Sequence, residues 1–149
     1  LTNSDYFQNT MPYIVHRIDK DTSGVLIVAK NRNTAQQLTS LFRIRKIHKT
    51  YLALSFGQID KSKDTIENNL IRYENNKKIV QKAISYIKII RSNDKNSFLE
   101  LKPITGRKHQ LRKQLYNIGH PIIGDNKYTF NNLEKKQKFK KITNFKKYL

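Results

Sequence analysis

The stretch from Val15 to Asn31, VHRIDKDTSGVLIVAKN, sets two carboxylates, Asp19 and Asp21, among Arg17, Lys20 and Lys30. Acids are scarce in this chain, with 11 Asp and Glu against 30 Lys and Arg. Nearby positive charge favours the charged form of a carboxylate, and an ionised Asp19 can act as nucleophile or general base. A structural reading stands beside that one. Asp21-Thr22-Ser23-Gly24 is a good turn, with side-chain oxygens able to bond backbone amides. The two are compatible if the turn aims Asp19.

Arg107, His109, Gln110 and Arg112 form a second cluster, in TGRKHQLR. The pattern predicts a helix start there, after a glycine, where free N–H groups and the macrodipole favour anions. Either the cluster is a solvated basic face, or it clamps a phosphate or pairs with a carboxylate. Tyr51 lies on an alternating strand and is either a half-buried core ring or a platform for a base drawn out of a nucleic acid. His16 and His48 lack metal-ligand spacing, so no metal is expected. A Gly-rich phosphate loop and a supported Ser-His-Asp set are both missing.

Several elements must carry these residues. Val25 to Ala29 reads as a buried strand after Gly24. Asn33 or Thr34 can cap a helix with Leu38, Leu41 and Phe42. Lys49 to Phe56 alternates, with Tyr51 and Ala53 on one face, and Gly57 ends it. Residues 59–78 are polar and read as a loop with short strands. Ala83 to Ile90 and Phe98 to Leu101 read as a hairpin across RSNDKNS. Thr105 is the expected cap of a helix with Leu111, Leu115 and Ile118 on one side, stopped by Gly119. Residues 1–12 read as a loop. Strands and helices mix without βαβ alternation, so the expected class is α+β, a mostly antiparallel mixed sheet with flanking helices.

The 149 residues carry a formal charge of +19, which calls for a polyanionic partner. Nucleic acid fits best, because neutralised phosphates release counterions. A membrane partner is not expected, since no run approaches the ~20 apolar residues of a spanning helix. There is no cysteine, which excludes disulfides and thiolate metal sites. No secretion pattern opens the chain, and the cytoplasm is the expected compartment.

HRIDKDTSG with VLIVAKN, then KTYLALSFG, ITGRKHQLR and GHPIIGDNKY, resemble in motif, order and spacing the RluA-type pseudouridine synthases. The likeness is nearest to the branch modifying large-subunit ribosomal RNA. It implies a pseudouridine synthase catalytic domain with no cofactor and no metal, acting on RNA, ribosomal before transfer RNA. Asp19, in H-R-[LI]-D, matches the catalytic aspartate. Arg17 matches the arginine that enters the RNA as the target base leaves the stack. Tyr51, in K-x-Y-x-A, matches the tyrosine set against the flipped base. Arg107, in T-G-R-x-H-Q, matches the arginine that pairs with the catalytic aspartate. His16, His109, Gln110 and Arg112 are expected to contact RNA, and Leu101 or Ile104 to line the pocket.

Family members carry an N-K-P-x-G strand upstream and an L-x-L-H-A strand downstream, and a His is common where Gln114 stands. The expectation is one partial catalytic domain over 1–149, with a motif-bearing core at 13–128 and a lysine-rich segment at 131–149. The alternative is a catalytically incompetent fragment acting at most as a basic RNA-binding module.

Overall fold

The computed structural model describes Phe7 and residues 11–130, so the lysine-rich segment and nearly all of the polar lead lie outside the described residues. The chain divides into two compact units, Leu1–His48 and Lys49–Leu149. Both described sheets are antiparallel. With the two helices they make the α+β class that the mixed pattern implies.

In the first unit, β1 (Tyr13–Ile14) pairs with β2 (Val28–Ala29), and α1 (Arg32–Arg43) packs on this ribbon. The predicted buried strand Val25 to Ala29 is thus cut to its last two residues, and Val25 is 83% exposed. The ladder ends after two pairs because the next amide, Ile27 N–H, donates to the His16 imidazole instead of to backbone (2.8 Å). The cap of α1 also sits earlier than expected. Asn31, not Asn33 or Thr34, accepts the Thr34 N–H on its side chain (2.9 Å).

The second unit is a four-stranded sheet in the order β3-β6-β5-β4. Its members are β3 (Tyr51–Phe56), β4 (Thr65–Glu74), β5 (Lys77–Ser92) and β6 (Asn96–Pro103). The RSNDKNS hairpin forms as predicted, tightened by Asn93 Oδ1 accepting from Lys95 N and Asn96 N. A bulge lies between Ile89 and Arg91. The polar reading of 59–78 needs correcting, since β4 fills ten of those residues. Only Ile66 and Leu70 of β4 are buried, while Ile71 and Tyr73 face outward, so its apolar residues conceal the alternation. Its turn, Asn75-Asn76, has positive φ at both residues (47° and 59°), the geometry of a tight two-residue hairpin that Asn tolerates.

The helix α2 (Gln110–Asn117) covers the inner face, packing on β4 and β6. Leu115 joins Ile59, Ile66, Ile87, Leu99 and Leu101 in the core, with Tyr51, Ala53, Leu111 and Ile118 against it. Gly119 ends the helix at φ 84°, its N–H on Tyr116 O and His120 N–H on Leu115 O, a paired closure of the last turn. Thr105 is not the cap. The helix starts five residues later, and the Thr105 hydroxyl goes to the sheet, accepting from Ile84 N (2.9 Å).

Between helix and sheet lies a fully buried polar residue, Gln114. Its Nε2 donates to Ile66 O (3.0 Å) and Ala83 O (3.1 Å), and its Oε1 accepts from Ser85 Oγ (2.6 Å). One side chain therefore ties α2 to both β4 and β5. Gln114→Leu keeps the volume and leaves three buried groups short of a partner, so we expect a loss of about 2–4 kcal/mol. Urea unfolding checks this, and an unshifted midpoint would mean that packing alone holds α2.

Candidate active site

In the first unit, the segment joining β1 to β2 carries Arg17 and Asp19. Thr22 N–H donates to Asp19 O (3.0 Å), closing a turn over Asp19-Lys20-Asp21-Thr22. The turn thus starts two residues before the predicted Asp21-Thr22-Ser23-Gly24, and Asp19 is its first residue rather than its upstream neighbour. Asp19 is half-buried and Arg17 exposed. His16, expected to meet RNA, has a packing role. Its Nε2 accepts from Ile27 N, and its ring stacks on Phe42 of α1 with centroids 4.7 Å apart. It joins the ribbon to the helix and so fixes the root of the loop bearing Asp19.

Arg107 stands in the second unit, just ahead of α2. Its backbone N–H donates to Gln110 Oε1 (2.9 Å), and its carbonyl accepts from Gln110 N (3.0 Å). Its Nε–H donates to Lys82 O on β5 (3.2 Å). The residue is therefore gripped at main chain and side chain by neutral dipoles. Gln110 is not on an RNA-facing surface, for it is only 5% exposed and bonded entirely within the protein. Lys49 approaches the same loop, its Nζ lying 3.7 Å from where a Cβ on Gly106 would sit. Tyr51, at the start of β3 opposite Leu101, is half-buried against the core. Leu101 is fully buried in the core and Ile104 is 42% exposed, so of the two expected pocket residues only Ile104 is open to solvent.

His109 and Arg112 serve a clamp that the sequence reading did not identify. Arg112 donates from Nε to Asp125 Oδ2 (2.6 Å) and from an Nη to Asp125 Oδ1 (2.9 Å), a bidentate pair. Its guanidinium lies 5.1 Å from the Tyr128 ring centroid. Tyr128 OH bonds His109 Nδ1 (2.9 Å), and His109 holds a left-handed backbone, φ 53°, at the N-cap of α2. Asp125 Oδ1 also accepts from Lys127 N and Tyr128 N. The motif GHPIIGDNKY is thereby folded onto the N-terminal turn of α2. Its acid and phenol were visible as one of few carboxylates and an aromatic in a loop, but spacing alone did not link them to Arg112, 13 residues before the acid. Among the described residues no group of three or more metal-ligating side chains occurs.

The Arg112 hydrogen bond, aided by the two backbone amides and opposed by burial, holds the Asp125 carboxyl well below the ordinary range, at about 2. A carboxyl depressed on folding adds stability that is complete above its unfolded value, 3.8, and fades as pH falls toward 2. At ~1.4 kcal/mol per unit this is about 2 kcal/mol. We expect Asp125→Asn to lose that amount at neutral pH and to flatten the acid limb of stability between pH ~4 and ~2. Denaturant titrations of both proteins across that window test it, and parallel acid limbs would refute the pairing.

The family model described as RNA pseudouridylate synthase matches residues 1–117. The chain is 42% identical over 127 residues to ribosomal large subunit pseudouridine synthase C of Rickettsia bellii, covering 77% of this chain and 41% of that protein. It is 39% identical over 124 residues to ribosomal large subunit pseudouridine synthase D of Borreliella burgdorferi, covering 78% and 38%. The chain therefore spans about two-fifths of the length of these relatives. Among solved structures, human RNA pseudouridylate synthase domain containing 1 superposes with a TM-score of 0.73 at 30% identity, covering 80% of this chain and 56% of that one. Human RNA pseudouridylate synthase domain containing 4 gives 0.69 at 30% identity, covering 83% and 54%. The matched span takes in the turn of Asp19, the strand of Tyr51 and the braced loop of Arg107, and the chain belongs to the RNA pseudouridylate synthase family.

Proposed function

We propose that this chain is the catalytic portion of an RNA pseudouridine synthase acting on uridines of large-subunit ribosomal RNA. The observation that carries the reading is the family match across 1–117, which encloses Asp19, Tyr51 and Arg107 in the expected order. The names of the relatives, ribosomal large subunit pseudouridine synthases C and D, support the substrate class.

In the proposed reaction Asp19 attacks the target nucleotide, the uracil–ribose C–N bond breaks, and the freed uracil turns within the pocket. Uracil C5 then bonds to ribose C1′ as the bond to Asp19 breaks and its carboxylate is restored, the C5 proton departs, and N1 ends protonated. Atoms and electrons balance without an oxidant or a cosubstrate, as an isomerisation requires. A base inside a stack is out of reach, so the nucleotide must be extruded at a few kcal/mol of unstacking. Arg17, exposed beside the Asp19 turn, fills the gap. Tyr51 backs the flipped base, and Arg107 supplies a fixed cation for the carboxylate. The surplus of Lys and Arg draws the RNA backbone in without reading its sequence.

The test is chemical mapping of pseudouridine in unmodified ribosomal RNA incubated with the chain. We expect Asp19→Ala to lower formation at least ~10²–10⁴-fold, the range for removing a group that takes part in bond making or proton transfer. RNA affinity should change little and should fall steeply with salt in both proteins. An Asp19→Ala protein as active as the parent would refute the mechanism. Salt-dependent binding without turnover in the parent would favour the binding-module alternative.

A further inference from the structure

The bonds around Gln110 form a closed and directional set. Oε1 accepts from Arg107 N (2.9 Å) and from Thr105 Oγ1 (2.7 Å), while Nε2 donates to Ile84 O (3.0 Å) and Ser85 Oγ (2.9 Å). Two lone pairs and two protons are all used, the full capacity of a primary amide. Only one amide orientation is consistent, because Arg107 N–H can only donate and Ile84 O can only accept. That orientation propagates. Ser85 accepts from Gln110 and so passes its own proton to Gln114 Oε1 (2.6 Å), and Gln114 Nε2 ends on the carbonyls of Ile66 and Ala83. Thr105, Gln110, Ser85 and Gln114 are each at most 5% exposed.

From this set we propose that Gln110 is a positioning residue for Arg107: it holds the arginine's main chain at a fixed point on β5 through an uncharged, buried track reaching β4. Arg107 has two anchors, its N–H on Gln110 and its Nε–H on Lys82 O, and both reference the same strand. The residue between them and the helix, His109, sits in a left-handed conformation that costs about 1–2 kcal/mol, so the loop needs a brace to hold its shape. Gln110 supplies that brace at the one backbone donor nearest the guanidinium. The catalytic consequence rests on the function proposed above, whereas the mechanical one does not.

The experiment is amide hydrogen exchange on the full chain, with turnover measured in parallel. In Gln110→Met, which keeps length and apolar bulk, the Arg107 amide should exchange roughly five- to tenfold faster, as expected for one lost neutral hydrogen bond. Amides of the β5–β6 ladder should not change. Gln110→Glu retains an acceptor for Arg107 N–H and, at mildly acid pH where the oxygen facing Ile84 O carries a proton, should restore its protection. Unchanged Arg107 exchange in Gln110→Met, or failure of Gln110→Glu to restore it, would overturn the proposal. If Gln110→Met does not fold, the Arg107 protection seen in Gln110→Glu decides alone. In turnover, Gln110→Met should lower kcat several-fold at nearly constant KM and add nothing in an Arg107→Ala background. A further loss in that background would show that Gln110 does not act through Arg107. No turnover by the parent chain would reject the proposed function and leave the exchange result to judge the brace.

Discussion

A helix that turns two glutamines toward a sheet must find partners for both amides, since each buried amide group left unbonded costs a kilocalorie or more. The second unit is organised by how it meets that demand. Gln110 and Gln114 lie four residues apart, on one face of α2, and both reach Ser85. Leu115 and Leu111 beside them bury the apolar share of the same face. Registration of α2 on the sheet is therefore fixed by direction-specific bonds as well as by non-directional burial. Sliding the helix by one residue would break every bond in the track.

The first unit is built with fewer resources. Ala29 is its one fully buried apolar residue among those described, and the two-pair β1–β2 ladder is short. A histidine imidazole does here what backbone does elsewhere, taking the amide that follows the ladder and stacking on α1. Val25, Ile14 and Met11 are left largely exposed. The turn at Asp19 is thus held from its flanks, by His16 on one side and the Thr22 amide on the other.

What the sequence made legible follows from where the information resides. Short-range signals were readable: the RSNDKNS hairpin, the Gly119 stop, and the alternation that puts Tyr51 inward. Signals that depend on a distant partner were not. The hydroxyl of Thr105 is a good cap by type, yet it serves a strand residue 21 positions upstream. With Ile66 and Leu70 facing in and Ile71 and Tyr73 facing out, β4 showed no visible period, although its Asn75-Asn76 turn was a local cue that could have been used. For the site, residue types pointed to Asp19, Tyr51 and Arg107 only with help from the family motifs. The reassignment of Gln110 and Arg112 from an outer surface to internal bonds required coordinates, because a polar residue at a helix start is ordinarily exposed.

Arg107 and Arg112 show why that distinction matters for chemistry. They are five residues apart, and both are half-buried. Arg112 spends its charge on Asp125, a side chain only 3% exposed, in a bidentate pair that closes a loop. Such a cation has little field left to offer a ligand. Within its unit Arg107 is held by carbonyl and amide dipoles, from Lys82 and Gln110, which fix position without cancelling a unit charge. An ionised acid in place of Gln110 would set an acceptor against the Ile84 carbonyl and add a negative charge beside the arginine's loop. In a chain so rich in bases, a neutral amide at that point holds the Arg107 loop without adding a charge that would cancel the guanidinium, which is what the proposed reaction asks of a cation serving a carboxylate.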